Sequence, residues 1–226
     1  MANTTARGEN MNDEFYIGYA ARAPRGLARH LALCAGGLAV LVVAMAALLA
    51  AGQKPAESGA FEFGVTQSFE GVLSETPLPL LRTVSASGAV TNYLLVGAGK
   101  HGLPAFVRGH NGMRVRFEGT LIHQGSAVMI ELNRAASFEV LGVPEASERD
   151  PGFRTVGEVF LTGELVDTKC WYGVMRPATG KVHRACAVRC LSGGVPPGLL
   201  LRDTEVNGTV ILLMGTAGTP LQFDPQ

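Results

Sequence analysis

The apolar run LALCAGGLAVLVVAMAALLAA, from Leu31 to Ala51, constrains this chain before anything else does. It holds 21 residues and no charge. At ~1.5 Å of rise per residue, a helix of that length crosses a hydrocarbon layer ~30 Å thick. Arg22, Arg25 and Arg29 stand before the run, whereas Lys54 is the one base between Gln53 and Phe69. The positive-inside rule therefore keeps residues 1–30 in the cytoplasm as a short polar tail. It makes residues 31–51 a single pass through the inner (cytoplasmic) membrane and places everything from residue 52 outside. A cleaved secretory signal is the alternative, with Ala50-Ala51-Gly52 as its processing site. The leading polar region and the run are both longer than such a signal needs. Cys34 comes before the apolar core of the run and reads as a small packing residue, not as a lipidation site.

The remainder must fold in an oxidising compartment. The chain is 47% hydrophobic, with 29 glycines and 12 prolines, which suits strands and turns around a core and argues against disorder. Nineteen basic residues balance nineteen acidic ones, so the molecule offers no field for nucleic acid. Residues 52–60 read as a linker, and Pro144 to Gly152 (PEASERDPG) as a second break. Two exterior domains follow, 61–143 and 153–226.

In the first, Phe69–Ser74, Thr91–Gly97, Met113–His123, Ala127–Leu132 and Ser137–Leu141 read as strands. Met113 to Gly119 alternates apolar and charged residues, as a half-buried strand does. Five short strands predict a small oligonucleotide/oligosaccharide-binding (OB)-like barrel, with a sandwich as the alternative. The fold class is thus mostly β, behind an N-terminal transmembrane helix. The second domain echoes the first. Phe69–Thr76 resembles Leu161–Thr168, and Tyr93–Gly99 resembles Ile211–Gly218. This similarity points to duplication of a strand-turn unit, with a Cys/His segment inserted between strands and too few strands to close a second barrel.

That segment reads DTKCWYGVMRPATGKVHRACAVRCLSGGVPP. His183, Cys186 and Cys190 fall at i, i+3 and i+7, one face of a helix that Ser192-Gly193-Gly194 and Pro196-Pro197 bring to a stop. On a straight helix His183 lies about 10 Å along the axis from Cys190, so it joins the cysteines only from a bent first turn or the preceding loop. Cys170, after the Asp167 strand, supplies a fourth ligand. Cys170, His183, Cys186 and Cys190 make a Cys3His set suited to zinc or another soft metal ion. Asp167 caps the segment or orients His183 from behind the metal.

Alternatives stand beside this reading. A disulfide from Cys170 to Cys186 or Cys190 would make the segment a staple in a non-enzymatic interaction or assembly protein. Cys186 and Cys190, four apart on one helix, are poorly placed to bond each other. A thiol-redox enzyme is the third option. Lys169, Arg176, Lys181, Arg184 and Arg189 give the segment a basic character that would lower thiol pKa values and draw an acidic partner. The partners implied are the membrane itself and a membrane or periplasmic protein.

The strings GELVDTKC and HRACAVRCLSGGVPP resemble a set of uncharacterised bacterial membrane-anchored proteins. Those carry a similar G-x-[VIL]-V-D-x-x-C…H-x-x-C-A-x-x-C…G-x-P pattern. The resemblance covers about Gly163–Pro197 and implies a shared exterior domain. It supplies no activity. Other motifs are weaker. Gly97-Ala98-Gly99-Lys100-His101-Gly102 lacks Walker spacing and reads as a barrel corner. His101, His110 and His123 read as turn or surface residues, while Asn3-Thr4-Thr5 and Asn207-Gly208-Thr209 match the glycosylation pattern without implying modification.

Overall fold

The structure is a computed structural model that describes residues 23–52, 59–148, 152, 154–202, 208–219 and 221. The chain divides into two compact units, 1–56 and 57–226. Most of the expected cytoplasmic tail and of the expected linker, residues 149–151 of the 144–152 break, and both Asn3 and Asn207 lie outside the described residues.

The first unit is described as one helix, α1 (Arg25–Gly52), whose 28 residues include none that is buried. Pro24 suits a helix start because its fixed φ is preorganised there, and its carbonyl accepts the Ala28 N–H at 2.8 Å. α1 is long and apolar enough to cross a membrane.

The second unit opens with seven strands: β1 (Ala60–Phe61), β2 (Gln67–Ser74), β3 (Leu80–Val84), β4 (Val90–Gly97), β5 (Arg114–Gln124), β6 (Ala127–Leu132) and β7 (Glu139–Gly142). β2, β3 and β4 form an antiparallel meander. β4 then pairs in parallel with β6, β6 antiparallel with β5, and β5 antiparallel with β2. Those pairings close a five-stranded barrel. β1 and β7 are short additions along β5.

Five strands were expected, but not this five. The Ser137–Leu141 segment became β7, outside the ring, while β3 was not foreseen. Pro77 and Pro79 mark the stretch before Leu80 as a turn, and that punctuation hides a strand of only five residues.

The barrel interior is wholly apolar: Leu73, Leu81, Leu95, Val115, Phe117, Ile130 and Leu132, joined by Val107 from a 3-10 turn at Ala105–Val107. The alternation along β5 holds, with Val115 and Phe117 inward and Arg114, Arg116 and Glu118 outward. β4 behaves differently, because Leu94, Leu95, Val96 and Gly97 are all buried. Leu95 faces the interior. Leu94 and Val96 face the other way, into a second core with Ile122, Met129, Cys170, Tyr172, Cys190 and Val195. The 163–201 segment thus covers one outer side of the barrel.

β8 (Gly163–Asp167), β9 (Pro197–Leu201) and β10 (Val210–Leu212) form an antiparallel meander in the order β10-β9-β8. The two echoed stretches therefore take equivalent places: β2 and β4 flank β3, as β8 and β10 flank β9. A π-helical turn at Cys170–Val174 and α2 (Arg184–Ser192) lie between β8 and β9.

Candidate metal centre

Asp167 ends β8 fully buried, and both of its oxygens are committed. Oδ1 accepts the Cys170 N–H at 2.8 Å, which caps the turn that follows the strand. Oδ2 is 2.9 Å from His183 Nε2. One carboxylate therefore orients two of the candidate ligands. His183 precedes α2 as its N-cap residue, in the turn closed by its N–H to the Gly180 carbonyl at 3.1 Å. It enters from the turn that leads into the helix and meets Cys170 and Cys186.

The ligand atoms of Cys170, His183 and Cys186 lie within 4.8 Å of one another, and so do those of Asp167, Cys170 and Cys190. The expected residues thus form two overlapping groups that share Cys170. The Cys170 and Cys186 sulfurs are 3.8 Å apart. Two sulfurs bound at ~2.3 Å to a tetrahedral ion would be separated by about 3.8 Å, whereas a disulfide needs about 2.05 Å. All four cysteines, Cys34 included, are free.

The charge around the sulfurs differs from the expectation. Arg176, Lys181, Arg184 and Arg189 are exposed. Lys169 is buried and turned away: its Nζ reaches Glu131 Oε2 at 2.5 Å and donates to the Gly97 and Gly99 carbonyls at 2.7 and 2.6 Å. The ammonium beside the sulfurs belongs to Lys100. Its Nζ donates to Cys186 Sγ at 2.6 Å and lies 3.9 Å from Cys190 Sγ. That bond to Cys186, reinforced by the negative character of Cys190, holds Lys100 above the ordinary lysine range. Cys170 is driven well above a normal thiol because it donates to Cys190, is buried, and faces Asp167. Cys190 moves down, chiefly through that same bond and then through Lys100. Burial and Asp167 act against the shift. The two sulfurs titrate as a coupled pair, in which Cys190 gives up its proton before Cys170.

Backbone packing sets Lys100 in place. A Cβ on Gly193 would come 1.9 Å from the Lys100 carbonyl oxygen, and one on Gly102 would come 2.0 Å from that of Gly194. The Gly102 N–H donates to the Gly193 carbonyl at 2.9 Å. The glycines after α2 thus stop the helix and also admit the 97–102 loop. Sequence reading missed Lys100 because it is 86 residues from Cys186. Its signal, a lysine in a glycine-rich corner, pointed elsewhere.

Trp171 packs against the second core and Tyr172 is buried in it, where burial raises its phenol pKa. His101 is exposed; the His110 ring is 3.2 Å from the Val107 carbonyl, and His123 is 3.5 Å from Glu62. None of the three reaches the cysteines. No family model, curated protein or solved structure matches the chain.

Proposed function

We propose that this protein is a membrane-tethered, extracytoplasmic β protein that holds one zinc or other soft metal ion through Cys170, His183, Cys186 and Cys190. The observation that carries this reading is the meeting at Cys170 of both ligand groups, with a sulfur–sulfur separation suited to a tetrahedral ion. If His183 keeps its bond to Asp167, coordination falls to Nδ1, in the carboxylate–histidine–metal arrangement common behind such sites. Lys100 offsets the surplus negative charge of three thiolates.

The apolar α1 and the arginines before it support an N-in anchor. The ring order, with β4 parallel to β6, supports an OB-like barrel, and the repeated meander supports a duplicated unit carrying the Cys/His segment as an insertion. We assign the site a structural role, or one accessory to a membrane redox complex.

Elemental analysis of the full chain purified in detergent tests the reading. About one zinc or other soft metal per chain is expected, with loss of the metal in Cys170→Ser at unchanged far-ultraviolet dichroism. Metal-free wild-type protein with a Cys170–Cys186 bridge would overturn it in favour of a structural staple.

A further inference from the structure

We infer that Arg82 is the anchor of a second site, remote from the cysteines, that binds small carboxylates with an apolar body. Pairing across the sheet places Arg114, Val72, Arg82 and Asn92 in one row over β5, β2, β3 and β4. Directly paired residues project to the same face, so two arginines flank Val72 on the outside of the barrel. Their surroundings differ. Arg114 is neutralised by Glu70, through Nε at 3.0 Å and Nη2 at 2.6 Å, and by Glu148 at 3.4 Å. Among the described residues Arg82 has no carboxylate partner, and its buried Nε has no hydrogen-bond partner.

The second meander sharpens the contrast. An arginine also follows its leucines, Arg202 after Leu199-Leu200-Leu201, and that one pairs with Glu164. At Arg82 the neighbouring β2 residue is Val72, and the charge is left open.

A buried donor without a partner is rare, and a guanidinium carries pairs of parallel N–H donors that fit one carboxylate. The space in front of Arg82 supplies room for a ligand. It is a cavity of about 520 Å³ with apolar walls from Val72, Pro77, Leu80, Val143 and Pro144. Asn92 and Asn111 add amides at its edge. The Asn111 carbonyl oxygen already accepts the Glu75 N–H at 2.8 Å, which turns its amide nitrogen into the free donor. One open positive charge, two amides and apolar walls match a monocarboxylate with a short hydrocarbon or aromatic body. They do not match a dianionic phosphate.

Calorimetric titration of the detergent-solubilised full chain with acetate, hexanoate, benzoate, benzamide and inorganic phosphate tests this. Hexanoate or benzoate is expected to bind saturably at one per chain, acetate at least tenfold more weakly, and benzamide not measurably. Arg82→Gln should weaken carboxylate binding at least tenfold. Arg82→Lys, which keeps the charge without the fork, should weaken it several-fold at unchanged far-ultraviolet dichroism. Absence of saturable carboxylate binding, carboxylate affinity unaffected in Arg82→Gln and Arg82→Lys, or phosphate bound more tightly than any carboxylate would each overturn the assignment.

Discussion

The two cores of the second unit share strands β4 to β6 and are built on opposite principles. Inside the barrel, every buried group is a hydrocarbon or an aromatic ring: Phe69 and Phe117 lie 6.3 Å apart, and Phe117 stacks on Phe138 at 6.4 Å. On the other side of β4, the buried set includes Asp167, Thr168, Lys169, His183 and Glu131 beside two thiols. Apolar packing tolerates volume-conserving change, whereas buried charge demands that every partner be present. The difference separates a core that tolerates apolar exchange from one that depends on every partner.

The largest effect should come from splitting the buried ion pair. Lys169→Ala leaves Glu131 without its cation and Gly97 and Gly99 without their donor. A loss of about 3–5 kcal/mol in denaturant unfolding is expected. The double change Lys169→Met with Glu131→Leu should restore part of it, since neither charge then remains buried alone while the Gly97 and Gly99 carbonyls still lack their donor. Failure of that rescue would show that the pair positions the Lys100 loop in a way packing cannot replace.

Leu95→Ala should cost about 2–5 kcal/mol by opening a cavity inside the barrel. Metal content should stay unchanged, because Leu95 faces away from the cysteines. Loss of metal in a folded Leu95→Ala protein would break the separation of the two cores. Asp167→Asn tests the reverse. It should lower metal affinity about 10–100-fold in chelator competition, through the loss of His183 orientation.

The cysteine pair predicts a pH response in the metal-free protein. Cys170 is raised in the folded state, so the unfolded chain releases that proton first as pH climbs. The stability it contributes is present below the ordinary thiol pKa of about 8.5 and declines above it. Cys190 is lowered, so its contribution is present above that value and is lost as pH falls through its own folded pKa. Thiolate ultraviolet absorbance should therefore show one early-titrating and one late-titrating group, and either Cys170→Ala or Cys190→Ala should return the remaining thiol of the pair toward the ordinary range. The smallest effect belongs to the barrel's solvated face. Arg116→Ala removes exposed pairs with Glu70 and Glu139, and its unfolding midpoint should stay near wild type.

Much of this was legible in residue order. The apolar run gave α1, the alternation from Met113 gave β5, and the Asp167-to-Cys190 spacing pointed to side chains that the fold draws into two overlapping clusters. What stayed hidden depends on long-range packing. β3 was masked by its prolines, and the apolar Leu94–Val96 run could not reveal that its two faces serve different cores. Lys100 and Lys169 illustrate the limit most directly. Lys169 read as part of a basic surround for the thiols and Lys100 as part of a barrel corner, and only the folded chain shows that Lys100 meets sulfur while Lys169 is buried against Glu131.

X-ray absorption at the edge of the bound metal tests the central claim most directly. The account predicts a shell dominated by sulfur at about 2.3 Å with a histidine contribution in the wild type, and no bound metal in Cys170→Ser. A shell of oxygen and nitrogen alone, or one unaltered by Cys170→Ser, would contradict it.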